Sequence, residues 1–191
     1  ESYNAGTNYD DVEAYESALK EQLDSGANLI ISTGAVSMGD FDFVPQAIER
    51  LGGEIIFHKI KIRPGKPLLL ARFKNDSLFI GLPGNPISTV VGLRFFVNAF
   101  LRQYFAMPEE KPLKAILKND LYKTSDFCWI LKAKSEIDNY SRHQVSILEG
   151  QESFKIKPLL IANGWALVEQ ENGGMQQGDS IDFYPQNPPL E

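Results

Sequence analysis

The strongest constraint in this sequence is a change of texture at Pro108. Before it, helix and strand signals alternate; after it, only short strand-like runs separated by turn residues occur. Val12, Tyr15, Leu19 and Leu23 recur at helical spacing, with Asp10 and Glu13 placed as a capping box and Gly26 as a stop, so residues 11–24 are expected to be helical. Residues 28–33 read as a short apolar strand. Asp42 can cap a helix over 43–51 that Gly52-Gly53 ends, and residues 54–60 read as a strand. Strands over 68–73 and 77–81 join through a tight Lys74-Asn75-Asp76 turn, and a long apolar helix over 87–107 stops at Pro108. This alternation predicts an α/β domain with a mostly parallel sheet and helices on both faces. Beyond Pro108, runs at 114–119, 127–134, 144–148, 165–169 and 180–184 predict a small all-β domain, a barrel or a sandwich, taken as barrel-like. The expected division is residues 1–109 and 110–191, joined through Glu109-Glu110-Lys111-Pro112. A parallel α/β domain ordinarily opens on a buried strand. This chain enters a helix directly from polar residues, so its first domain is expected to be truncated at the N-terminus.

The net charge of the 191-residue chain is -6, which argues against a general nucleic-acid surface. Any bound anion must then be held by local cations and backbone amides. Cys128 is the single cysteine, so neither an internal disulfide nor a multi-cysteine metal site is available. His58 and His143 are far apart and offer no metal spacing. No apolar run approaches the ~20 residues that span a bilayer, and the polar start is unlike a signal peptide. A soluble, cytoplasmic protein without a membrane segment is expected.

Three loops carry the chemistry. The first, residues 33–42, leaves a strand and enters a helix, where open α/β sheets place ligands. Gly34 and Gly39 permit close backbone approach, Thr33 and Ser37 supply hydroxyls, and Asp40 and Asp42 could hold a divalent cation. A plainer reading has Asp42 capping its helix and Asp40 solvated. The second loop, Arg63-Pro64-Gly65-Lys66-Pro67, presents two cations on a proline-stiffened frame suited to an oxyanion. It could also be simply a charged turn. The third, Gly81-Leu82-Pro83-Gly84-Asn85-Pro86-Ile87-Ser88, places Asn85 as an N-cap and Pro86 as the first helical residue, with the following amides and Ser88 facing an anion. A strand-to-helix turn explains its prolines and glycines equally well. Together the loops offer hydroxyls, two carboxylates, two cations and a helix start. That inventory suits phosphate or another tetrahedral oxyanion with a divalent metal, and it lacks a nucleophile–base pair for covalent catalysis.

In order and spacing, these motifs resemble the molybdopterin molybdenumtransferases, the MoeA type that includes the E domain of gephyrin. The strand-rich second half, with Ala162-Asn163-Gly164 and Gly178-Asp179, is more weakly similar to that family's C-terminal β domain. The resemblance implies a molybdopterin-binding, MogA-like α/β domain followed by a β domain. It implies an enzyme that binds adenylated molybdopterin and molybdate as substrates, releases AMP with Mg²⁺, inserts molybdenum and works as a homodimer. By motif, Asp40 and Asp42 serve metal and catalysis. Gly34, Ser37, Gly84 and Asn85 contact the pterin phosphate and Thr33 and Gly39 join the substrate-binding set, while Arg63, Lys66, Pro67 and Ser88, with Ser153 from the β domain, line the molybdate or phosphate site. The chain departs from the pattern in several places. Ala35 replaces a usual glycine and Arg63 a usual lysine, and the family's arginine before its first core β strand has no counterpart near residues 124–127. Phe154-Lys155 replaces a Gly-containing stretch, and the family's earlier domains and Gly-Asp-Glu-Leu-like motif are absent. The chain alone is therefore expected to bind without necessarily turning over. The competing expectation is a non-catalytic pterin-binding or gephyrin-like scaffold and dimerisation module. A molybdopterin adenylyltransferase-like or CinA-like enzyme ranks lower, because its third loop differs and it lacks a trailing β domain.

Overall fold

The structure, a computed structural model, describes residues 2–7, 11–34, 43–171 and 173–187. In chain order the elements are α1 (Val12–Asp24), β1 (Leu29–Thr33), α2 (Val44–Arg50), β2 (Glu54–His58), β3 (Ile62–Arg63), β4 (Leu69–Arg72), β5 (Leu78–Leu82), α3 (Pro86–Gly92) and a π-helical turn (Leu93–Val97). There follow α4 (Asn98–Tyr104), β6 (Leu113–Leu117), β7 (Leu121–Tyr122), β8 (Cys128–Ile137), β9 (His143–Ile147), a 3₁₀ turn (Lys157–Leu160), β10 (Gly164–Val168), β11 (Gly174–Met175) and β12 (Ser180–Pro185). Two compact units result: residues Glu1–Ile60 with Pro67–Gly84, and Lys61–Lys66 with Asn85–Glu191. The helical run after residue 85 thus groups with the barrel strands, ahead of the change of texture at Pro108.

The first unit holds a four-stranded sheet in the order β1-β5-β4-β2. Only β1–β5 is parallel; β5–β4 and β4–β2 are antiparallel. The expected mostly parallel sheet is therefore not what the described residues form. The reason was in the tight turn at 74–76: so short a connection can join only antiparallel neighbours. Helices α1 and α2 share one apolar cluster with Leu69, Ala71, Phe73 and Phe79, so both cover the same sheet face rather than opposite ones. Helix α1 is capped by Asp11, whose carboxylate accepts from the amides of Glu13 and Ala14, not by the capping box expected at Asp10 and Glu13. Gly26, at φ +82°, follows its last turn as expected. Asp42, expected to cap α2, lies outside the described residues. Phe43 occupies the N-cap position without a side-chain bond.

In the second unit, β10, β12, β6, β9 and β8 close on themselves through the β10–β8 pairing, giving a five-stranded barrel. Ala115, Leu117, Leu131, Ala133, Val145, Ala166, Val168, Ile181 and Phe183 fill it. Closure leaves these strands without a free edge. The two-residue β3, which sequence periodicity cannot detect, adds to β8 in parallel. On the outer face of β8 and β10, Ile130 and Trp165 pack with Ile87 and Val91 of α3 and with Ile62 and Leu159. The expected helix over 87–107 is a run of α3, the π-helical turn and α4, ending at Tyr104.

Candidate functional site

In the sheet unit, Thr33 ends β1 directly beside Leu82 at the end of β5, its parallel neighbour. Carboxyl ends of adjacent parallel strands are where α/β sheets leave a crevice. The Gly34 amide donates to the Leu82 carbonyl at 3.1 Å, with Gly34 at φ +102°, a conformation that side chains disfavour. A Cβ on Gly84 would lie 2.9 Å from Gly34 Cα, so the first and third loops meet backbone to backbone. The same end of the unit carries a cavity of 490 Å³ lined by Asn4, Tyr15, Ser32, Thr33, Gly34 and Phe43 among others. That volume falls within the range of small-molecule sites. Tyr15 donates its hydroxyl to Ser32 Oγ at 3.0 Å, and burial pushes its phenol above the ordinary value. Asn4, Tyr15 and Ser32 were missed as site residues. Helical spacing marked Tyr15 as core, and it serves both the core and the cavity. Ser37, Gly39, Asp40 and Asp42, with the Ala35 departure, lie outside the described residues. Pro67 belongs to this unit, half-buried and next to the buried Leu68.

The barrel unit carries Arg63, Lys66, Asn85, Ser88 and Ser153. Pairing of β3 with β8 sets Arg63 opposite Trp129, and its guanidinium stands 5.5 Å from the indole centroid. The Lys66 ammonium is 5.9 Å from the Phe127 ring. Both cations are exposed and stand over aromatic faces, with no ion pair to an acid among the described residues. Between them Gly65 is buried at φ +110°, where a Cβ would lie 2.9 Å from Ile62 and 3.9 Å from Val91 of α3. Ser88 is buried in the first turn of α3, and the Ile87 amide beside it donates to the Ser153 carbonyl at 3.2 Å. Ile62, just before the cationic loop, shares an apolar cluster with Ile87, which neighbours Ser88 and donates to the Ser153 carbonyl. Of the first amides of α3, Pro86 has no N–H and the Ile87 N–H is taken by the Ser153 carbonyl, so the expected anion site there has fewer donors than a free helix start. Asn85 sits at the N-cap position without a side-chain capping bond, its Oδ1 buried and unpartnered among the described residues.

The loop bearing Ser153 is fixed by a residue the sequence reading did not single out. Lys132, 1% exposed, lies on the outer face of β8. Its ammonium donates to the carbonyls of Gly150 (2.6 Å), Glu152 (3.3 Å) and Lys155 (3.0 Å). The Gln151 side chain clamps the Lys132 backbone, accepting from its amide and donating to its carbonyl, both at 2.9 Å, and donates to the Leu148 carbonyl at 2.6 Å. Burial pushes the Lys132 ammonium below the ordinary lysine value. The available signal was a lysine directly after the apolar run Trp129–Leu131, at a position whose strand neighbours Ile130 and Leu131 read as buried.

Among the described residues, no helix is long and apolar enough to cross a membrane, and no three His, Cys, Asp or Glu side chains cluster to hold a metal. A glycine-lined strand end beside a cavity in one unit, and an exposed cationic loop in the other, are the candidate sites for an anionic ligand.

The comparisons narrow that class. Residues 1–103 match the family described as "Probable molybdopterin binding domain", and the chain belongs to that family. Among curated relatives, the molybdopterin molybdenumtransferase of Synechococcus elongatus is 48% identical over 93 residues, covering 48% of this chain and 23% of that protein. The Bacillus subtilis protein of the same name is 34% identical over 126 residues, 65% of this chain and 29% of the relative. The Staphylococcus aureus one is 27% identical over 180 residues, 93% of this chain and 42% of the relative. The chain thus spans less than half the length of each. In fold it is similar to a solved molybdopterin biosynthesis MoeA protein of Pyrococcus horikoshii, with TM-score 0.72 and 22% identity over 96% of this chain and 43% of that one. A molybdenum cofactor biosynthesis protein of Pyrococcus furiosus gives TM-score 0.69 and 18% identity over 92% of this chain and 55% of that one.

Proposed function

We propose that this chain serves molybdenum cofactor biosynthesis by binding adenylated molybdopterin and molybdate, as part of a molybdenumtransferase acting in the cytoplasm. The observation that carries the reading is the exposed Arg63–Lys66 loop of the barrel unit, held over Trp129 and Phe127 and adjoining Ile62, which shares an apolar cluster with Ile87, the neighbour of Ser88 whose amide donates to the Ser153 carbonyl. Arg63 can hold a tetrahedral oxyanion bidentately, Lys66 adds a point charge, and the serines can donate hydroxyl hydrogen bonds. Stacking on Trp129 and Phe127 restrains both cations before the ligand arrives, which lowers the ordering cost of binding. In the sheet unit, the Gly34–Gly84 contact and Thr33 suit close approach of a phosphate, and the adjoining cavity suits the pterin ring. Asp40 and Asp42, hard oxygen donors one residue apart, would hold Mg²⁺, which when bound supplies charge neutralisation at a phosphoanhydride.

A homodimer is part of the proposal. Leu101, Tyr104 and Phe105 are exposed on and just after α4, and the rings of Phe100, Tyr104 and Phe105 touch in series. A face of this kind suits a second copy. Sedimentation of the chain should give a dimer that Tyr104→Asp dissociates; a monomeric wild type would remove this part.

Equilibrium titration with adenylated molybdopterin tests the main reading. Saturable binding is expected, strengthened by Mg²⁺ in the wild type but not in Asp40→Asn or Asp42→Asn. Absence of binding overturns the reading, and an Mg²⁺ effect that survives both substitutions overturns the metal assignment.

A further inference from the structure

We infer that Lys132 is a positioning residue for the oxyanion site: its ammonium sets the backbone of the loop that presents Ser153 to the start of α3. The inference rests on the proposed oxyanion role of Ser153 and Ser88 for its functional part, and on bond geometry alone for its structural part.

Lys132 is a fully buried cation whose three partners are backbone carbonyls rather than carboxylates. The nearest acid, Glu152, turns its side chain to Lys155 instead, at 2.7 Å. Burying a charge is costly unless its hydrogen bonds are met, and an ammonium has three donors to place. Here all three go into one loop. The carbonyls of Gly150, Glu152 and Lys155 are drawn inward, and the carbonyl of Ser153, between them, points instead to the Ile87 amide. Gln151 ties the same loop to the Lys132 backbone, so strand and loop move as one. An apolar residue at position 132 would leave three carbonyls turned toward it without a donor, and the loop would have to reopen. Lys132 touches no ligand in this account; it acts through the placement of Ser153. Among the described residues no acid is in direct contact with its positive charge, which lies beneath a loop proposed to receive an anion.

The test uses the full chain with Lys132→Met and Lys132→Arg, and molybdate alone as the probe. Two readouts are taken on each protein: hydrogen exchange at the Ile87 amide, and molybdate affinity by calorimetry. Lys132→Met should speed exchange at Ile87 while amides inside the barrel, such as that of Val145, stay protected, and should weaken molybdate roughly tenfold or more. Lys132→Arg, which keeps the charge and several donors, should restore most of both, and Ser153→Ala combined with Lys132→Met should weaken binding by less than the sum of the two. Unchanged Ile87 exchange in Lys132→Met overturns the positioning claim. Additive losses overturn its functional part. If the wild type itself binds no molybdate, the proposed function fails, and the exchange at Ile87 still decides the claim about Lys132. Should Lys132→Met fail to fold, Lys132→Gln, with two donors, is judged by the same two readouts.

Discussion

In the sheet unit, Gly34 and Gly84 bring two loops together through backbone alone. In the barrel unit, Arg63, Lys66, Ser88 and Ser153 are set by side chains, around an apolar cluster and over a buried lysine. The two constructions fail differently. A backbone contact of 2.9 Å to a prospective Cβ tolerates no side chain, so substitution there disturbs fold and site together. Exposed cations stacked on aromatic rings contribute little to folding, so they can be removed with the fold intact. Binding and stability should therefore be coupled in one unit and separable in the other.

The largest effect that sharpens this contrast is expected at Gly84. Gly84→Ala should destabilise the sheet unit by ~1–3 kcal/mol, the usual range for overpacking, and should weaken a pterin phosphate ligand in parallel. Urea denaturation and ligand titration on the same variant check both. A stable variant with normal binding would break the backbone half of the comparison.

A smaller effect is expected at Asp11, which caps α1 through the amides of Glu13 and Ala14. Asp11→Ala should cost about 1 kcal/mol in urea denaturation. Because Tyr15, one turn on, lines the cavity, ligand affinity in the sheet unit should fall with it, whereas molybdate affinity should hold.

The smallest is a pH effect confined to the barrel unit. Asp138 accepts from the amides of Tyr140 and Arg142 and from the Arg142 and Gln144 side chains in the β8–β9 hairpin. The Arg142 amide, ahead of these other partners, lowers its carboxyl from the ordinary 3.8 to about 2. A depressed carboxyl contributes stability that is fully present above the ordinary value and is lost as pH falls through the folded one. Exchange at the Tyr140 and Arg142 amides should accordingly rise between pH 4 and 2, after allowance for intrinsic rates, and Asp138→Asn should flatten the response. A flat wild-type response would contradict the hairpin assignment.

What could be read from sequence follows the same division. Gly34 and Gly84 were legible because a backbone approach needs glycine, and glycine is visible as itself. The Arg63–Lys66 loop stood out in the sequence because two cations bracket a glycine in a loop stiffened by two prolines. An all-β second half was visible in the spacing of short strands, but not the closure that makes it a barrel rather than a sandwich. Sheet direction was misjudged, because helix–strand alternation outweighed the tight turn at 74–76, which alone specified an antiparallel pair. Lys132 was invisible for a different reason. Its partners are carbonyls some twenty residues away, and carbonyls leave no trace in residue identity. The availability of amides at α3 was equally out of reach, since it depends on where the Ser153 carbonyl points.

The central claim is that the barrel unit binds molybdate through its cationic loop. Calorimetric titration of molybdate into the chain and its Lys66→Ala variant tests it most directly. The account predicts saturable binding in the wild type, a loss of about 1.5–3 kcal/mol in the variant, and an unchanged urea midpoint. Equal affinity in the two proteins, with both folded, would contradict it.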